Sequence, residues 1–204
     1  MANLAVNSGM HAYSKRADDL YETPPAAVLA LLGAESLPHR IWEPAAGRGA
    51  IVEVLRASGH DVAASDLRDH GDHRCPGIAT GIDFFKTLIA PEGVACMLTN
   101  PPFRESGPER FVSHGLKLCR RVIILARLTF MESKRPILES GTWVRAMPFK
   151  SRLPMMHRDG WTGRKSTNPT AFAWFVFDRN HDGSDATVHR LSLPTVENQL
   201  GTRK

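Results

Sequence analysis

The chain predicts an α/β fold: one doubly wound, mostly parallel sheet with helices on both faces. Three observations predict it. Short apolar runs near 40–43, 61–65, 94–99 and 121–128 alternate with stretches of helical periodicity, the pattern of parallel strands joined by helical crossovers. The first run, Arg40-Ile41-Trp42-Glu43, leads into Gly47-Arg48-Gly49, after which apolar residues recur at 51, 54 and 55. The fourth run, Arg121 to Leu128, is almost continuously apolar, as in a strand buried on both faces.

Taken in order, residues 1–20 are polar and small and read as an arm. A helix is expected from Pro25 to Leu32, with Pro24 at its start. The strand at 40–43, the glycine turn and its helix precede a second strand that ends at Asp66. After the third strand, Glu109 to Cys119 reads as an amphipathic helix. The C-terminal third departs from the alternation, with strands expected at Trp143–Arg152 and Ala171–Arg179. Between them, 153–170 is rich in Gly, Pro, Arg and Lys, and a loop of that length is usually functional or disordered. One short strand is possible at Thr187–Leu193. The organisation is therefore an arm at 1–20, a domain at 21–180 and a tail at 181–204. Trp42 and Trp174 sit inside apolar strand patterns and are expected in the core, while Trp143 has no assigned place.

The length of 204 residues suits one domain with a substantial core. No apolar run approaches the roughly 20 residues of a membrane span. Residues 1–12 lack a basic region followed by an apolar stretch, so no secretory signal is expected. Three scattered cysteines, Cys75, Cys96 and Cys119, suit reduced thiols and a cytoplasmic location. The net charge of +5 is uneven, −4 over residues 1–100 and +9 over 101–204. A basic half suggests a polyanionic partner; basic surface that merely aids solubility is the alternative. His70, Asp72, His73 and Cys75 are metal-binding residue types, but their spacing matches no common zinc site, so a solvated loop and no metal are expected.

Chemistry concentrates at Asn100-Pro101-Pro102-Phe103, directly after the third apolar run. An amide acceptor, two rigid prolines and an aromatic face suit the holding of a planar amine. The glycine turn is not the NAD fingerprint, because Val52 stands where a third glycine belongs. Asp66, 19 residues after Gly47, places a carboxylate at a second strand's tip, where ribose hydroxyls can donate to it. Asp83-Phe84 and Tyr21-Glu22-Thr23-Pro24 complete the set. With these motifs in this order, residues 21–179 resemble the S-adenosylmethionine (SAM)-dependent amino-methyltransferases of the DNA N6-adenine type, particularly compact phage and prophage members.

That resemblance implies a Rossmann-like class I methyltransferase: a seven-stranded sheet ending in an antiparallel pair. It implies SAM as cofactor, held by Tyr21, Thr23 and Pro24, by Glu43, Pro44, Ala45, Gly47 and Gly49, and by Asp66, Leu67, Asp83, Phe84 and Asn100. In this scheme Asp66 receives the ribose, Asp83 accepts from the adenine amino group, Phe84 packs on its ring, and Tyr21 to Pro24 cover the methionine end. Asn100 Oδ1 and the Pro101 carbonyl accept from the target amine, Pro102 fixes the loop and Phe103 stacks on the substrate ring. DNA is the favoured partner, its target base extruded from the stack, with His157, Arg158, Trp161, Arg164 and Lys165 of the basic loop as contacts. Family members commonly carry a separate recognition domain, for which about 25 residues remain here. RNA adenine-N6 or guanine-N2 methylation keeps the chemistry and changes the substrate. Glutamine methylation, for which Asn-Pro-Pro-Tyr is more usual, and a non-catalytic binder are the remaining readings.

Overall fold

The computed structural model describes residues 21–103, 107–132, 134–153 and 170–194. Helix α1 (Pro25–Leu32) begins behind Pro24, whose φ of −60° is already suited to a helix entry. Strand β1 (Arg40–Glu43) is followed by α2 (Ala50–Ala57) and β2 (Asp61–Ser65). Next come β3 (Ile78–Ala79), a 3-10 turn over Phe84–Lys86, and β4 (Cys96–Thr99). Helix α3 (Gly107–Leu118), β5 (Arg121–Arg127), β6 (Trp143–Pro148), β7 (Phe172–Asp178) and β8 (Thr187–Val188) complete the order.

The eight strands form one sheet in the order β3-β2-β1-β4-β5-β7-β6-β8. The pairs among β1 to β5 are parallel, and β7 runs antiparallel to both β5 and β6. Among the described residues the sheet has eight strands where seven were expected. The unforeseen one is β3, two residues that form only because Ala64 and Ser65 of β2 offer a ladder to Ile78 and Ala79. So short a segment has no periodicity to read. The possible strand in the tail is present as Thr187–Val188 against β6, and Leu191 bridges to Phe149 beyond it. Strand β6 stops at Pro148, short of the expected Arg152; past it, the Lys150 amide donates to the Leu191 carbonyl.

The sheet is buried on both faces, and the pleat divides its side chains between two cores. Ile123 and Leu125 of β5, with Trp174 and Val176 of β7, join α1 and α2 on one face. Val122, Ile124 and Ala126, with Phe175 and Phe177, join Phe111, Val112 and Leu116 of α3 on the other. Trp42 and Trp174 are core residues as expected; their indole nitrogens donate to Ser65 Oγ (3.1 Å) and the Ala27 carbonyl (3.0 Å). Trp143 opens β6, its ring centroid 6.4 Å from that of Phe175. At the opposite end from Asn100–Phe103, Glu35 accepts from Arg121 and from Arg145 Nη1 (2.8 Å), tying the α1–β1 connection to β5 and β6. Among the described residues no helix is long and apolar enough to cross a membrane.

Candidate functional site

The strand order reverses at β1, whose two neighbours are β2 and β4. In an open parallel sheet the crevice at such a point, past the carboxyl ends of the strands, is where ligands bind. A cavity of about 310 Å³ lies there. Glu43 to Gly47 at and after the end of β1, Asp66 and Leu67 after β2, Asp83 and Phe84 at the start of the 3-10 turn, and Asn100 and Pro102 after β4 all line it. Tyr21 and Thr23 close it from the N-terminal side. Of the residues expected around a cofactor, Pro24 and Gly49 do not line the cavity but shape it. Pro24 is buried ahead of α1, and Gly49 is the N-cap of α2 at φ 92°. That left-handed conformation favours glycine, and a Cβ there would lie 2.9 Å from both Cys75 Sγ and Ile78 Cδ1.

The electrostatics are set by two carboxylates. Asp66 Oδ2 accepts from the Gly47 amide (2.7 Å), and Oδ1 accepts from the Arg68 amide (2.9 Å) with His70 Nε2 at 3.3 Å. Those contacts fix the carboxylate and draw the glycine turn onto the tip of β2. A carboxylate has about four acceptor positions, so one on Oδ2 is left for a ligand hydroxyl. Glu43 is fully buried, and its Oε2 has no hydrogen-bond partner among the described residues. Burial and the nearby Asp66 charge raise its carboxyl well above the usual range, against a smaller lowering by the Val52 amide.

Asn100 is held with a defined orientation. Its Nδ2 donates to the Tyr21 carbonyl (2.9 Å) and to Thr23 Oγ1 (3.1 Å), so both amide hydrogens are engaged. Its Oδ1 is buried and has no partner among the described residues. The covering segment is fastened further by Glu22, whose Oε2 accepts from Arg74 Nη2 at 2.6 Å. Pro101 is buried, and Pro102 is exposed at the cavity. Gly107, first residue of α3, lies so close to the Pro102 carbonyl that a Cβ has no room. Phe103 lies outside this cavity, with Tyr21 and Phe172 ring centroids 6.1 and 5.8 Å from its own.

Asp83 Oδ1 accepts from the Phe85 amide (3.0 Å), which orients its carboxylate at the cavity. Phe84 reaches the cavity wall but is only 4% exposed, with Phe111 stacked on it at 4.6 Å and Trp42 edge-on at 5.4 Å. The open apolar surface belongs instead to Leu67, 57% exposed, and Ile82, 40% exposed. Ile82, Arg48 and Arg68 line the cavity and were not singled out from the sequence, and His70, weighed there only as a metal-ligand type, lines it too. The signal for Ile82, Arg48 and Arg68 was their nearness in sequence to Asp83, Gly47 and Asp66. His157, Arg158, Trp161, Arg164 and Lys165 lie outside the described residues. In the loop after β2, His73 Nε2 lies 2.9 Å from Asp69 Oδ1. Among the described residues no three His, Cys, Asp or Glu side chains group as for a metal ion.

No protein-family model matches the chain, and no curated protein matches it. Solved structures do. The methyltransferase subunit of a type I restriction-modification system from Streptococcus thermophilus aligns with a TM-score of 0.52 at 14% identity, over 81% of this chain and 46% of its own. A Pyrococcus horikoshii protein assigned as an RNA methyltransferase aligns at 0.55 and 15%, over 80% and 90%. A Listeria monocytogenes protein assigned as a class I SAM-dependent methyltransferase aligns at 0.50 and 10%, over 83% and 63%. The chain spans about half the length of the Streptococcus subunit and just under two thirds of the Listeria protein. At such identities the likeness is one of fold: the chain has the Rossmann-like methyltransferase fold.

Proposed function

We propose that the chain is a SAM-dependent methyltransferase that methylates the exocyclic amine of a nucleobase, N6 of adenine in DNA. The observation that carries this reading is Asn100: both hydrogens of its amide are committed to the Tyr21–Thr23 segment, and its buried oxygen is left without a partner among the described residues. An oriented, unsatisfied acceptor beside a ligand-sized cavity is costly unless a donor arrives to meet it.

The residues around the 310 Å³ cavity fit the cofactor. The remaining acceptor position of Asp66 suits a ribose hydroxyl, Asp83 suits the adenine amino group, and Leu67 and Ile82 offer apolar surface for a purine ring. When bound, SAM supplies an electrophilic methyl group on a sulfonium. The chain's part is to position the amine. Asn100 Oδ1 and the Pro101 carbonyl accept its two hydrogens, which draws the nitrogen toward tetrahedral geometry and frees its lone pair. Proline restricts the loop to one φ, and Phe103 supports the substrate ring. Catalysis is then mostly positioning and electrostatics, and the displaced proton leaves to solvent.

RNA is the second reading, favoured by the likeness to the Pyrococcus protein, of which 90% is covered. Labelled SAM offered with unmethylated duplex DNA, total RNA and a protein lysate separates the readings once the modified monomer is identified by mass spectrometry. N6-methyladenine in DNA is expected. Label confined to RNA moves the substrate and keeps the site; label in none, with SAM still bound, removes the enzymatic reading. Asn100→Ala should lower the turnover number by at least about 100-fold, as for other single positioned groups, and intact turnover sinks the assignment.

A further inference from the structure

A second cavity, of about 240 Å³, adjoins the catalytic tetrapeptide and is bounded by Phe103, Glu109, Arg127, Thr129, Phe130 and Arg135. Its position follows from the sheet register. Thr99 of β4 lies opposite Ile124 of β5, so the parallel chains leave the sheet together and Phe103 emerges beside Arg127. Two arginines face this cavity in different states. Arg135 is engaged: Nη1 lies 3.4 Å from Glu109 Oε2, Nε donates to the Phe130 carbonyl at 3.1 Å, and Cζ sits 5.0 Å from the Phe130 ring centroid. Arg127 is exposed at the end of β5 and forms no ion pair among the described residues. Its guanidinium rests over Phe103, with Cζ 5.3 Å from the ring centroid.

We propose that Arg127 binds the phosphodiester that flanks the acceptor nucleotide, and that it yields the face of Phe103 to the acceptor ring as it does so. The proposal rests on the reading of Asn100 to Phe103 as the acceptor-binding motif. The chemistry follows from what each contact is worth. An exposed cation over an aromatic face is weakly held, whereas a guanidinium meeting a phosphate gains a charge-assisted, frequently bidentate pair. A planar base on Phe103 competes for the ring that Arg127 covers. The cation released by that competition sits next to the nucleotide's own phosphate, so stacking and ion pairing are satisfied by one rearrangement. Arg135, already neutralised by Glu109, forms the wall against which this happens. The excess of positive charge in residues 101–204 suits a polyanionic partner.

The test compares Arg127→Gln, Arg127→Lys and Arg135→Gln. Each glutamine variant removes one formal positive charge from the same cavity, so a long-range charge effect strikes both alike and a direct phosphate contact strikes one. Binding of a short single-stranded oligodeoxynucleotide, and of the RNA of the same sequence, is followed by fluorescence anisotropy across a salt series. SAM binding is measured in parallel by calorimetry. Arg127→Gln should weaken oligonucleotide binding roughly tenfold and reduce the slope of log K against log salt by about 0.7, with SAM affinity unchanged. Arg127→Lys should retain the slope, and Arg135→Gln should leave it unaltered. Equal slope losses in the two glutamine variants, or none in Arg127→Gln, overturn the proposal while leaving the acceptor reading in place. A parent protein that binds neither oligonucleotide removes both. Binding of one nucleic acid only identifies which phosphodiester is meant.

Discussion

Asn100 shows how much of a site one side chain carries. An amide with one donor contact could present either end to a ligand; the pair of contacts to Tyr21 and Thr23 leaves the oxygen, which has no partner among the described residues, to face one. Thr23→Val removes one of the two acceptors at nearly constant volume. Turnover should fall severalfold and stability by about 1 kcal/mol; unchanged turnover would show that the Tyr21 carbonyl suffices. Glu43 is the second case. Its raised pKa means that the folded protein keeps a proton that the unfolded chain has lost. Its contribution to stability is therefore present in full below the ordinary carboxyl range and declines as pH rises through the native value. Glu43→Gln abolishes that titration, so the melting temperature of the variant relative to the parent should increase with pH from about 4.5 upward. A difference that stays constant with pH contradicts it.

At the scale of elements, the site depends on how strand ends and helix starts meet. Helix α3 begins directly against the Pro102 carbonyl, and only glycine at position 107 allows that approach. Gly107→Ala should displace the tetrapeptide and cost more in turnover than in melting temperature, which activity assays and a thermal melt on the same sample compare. Glu35 acts at the opposite end of the strands, where one carboxylate joins Arg121 of β5 to Arg145 of β6. Glu35→Ala leaves two partly buried guanidinium groups without their acceptor. A loss of about 2 kcal/mol in urea unfolding is expected, with SAM affinity unaffected because the clamp lies away from the cavity.

The whole molecule couples these parts, since the cavity is assembled from the ends of β1, β2 and β4 and from the segment before α1. A ligand that binds only this assembly stabilises all of it by mass action. SAM at 100 times its dissociation constant is worth about 2.7 kcal/mol, which for a chain of this size is a rise of about 5–10 °C in melting temperature. Asp66→Ala should erase most of that rise. A variant that keeps the full shift would show that the carboxylate does not reach the ribose.

What the sequence determined by itself was what local pattern encodes: strands with period two, helices with period 3.6, and the turn residues between them. Trp42, Trp174 and the β5 run were legible because their environment follows from their own neighbours in sequence, and the glycine turn because its backbone demands glycine. The tertiary structure decided what depends on distant segments. Strand β3 exists only as a partner for β2, and Phe84, which reads as a stacking platform, is walled in by Phe111, 27 residues further on. Arg127 and Arg135 look alike in sequence, yet among the described residues Arg135 has a carboxylate partner and Arg127 has none. A side chain's state is set by what packs against it, and residues that meet across 80 positions, as Asn100 and Tyr21 nearly do, leave no periodic trace.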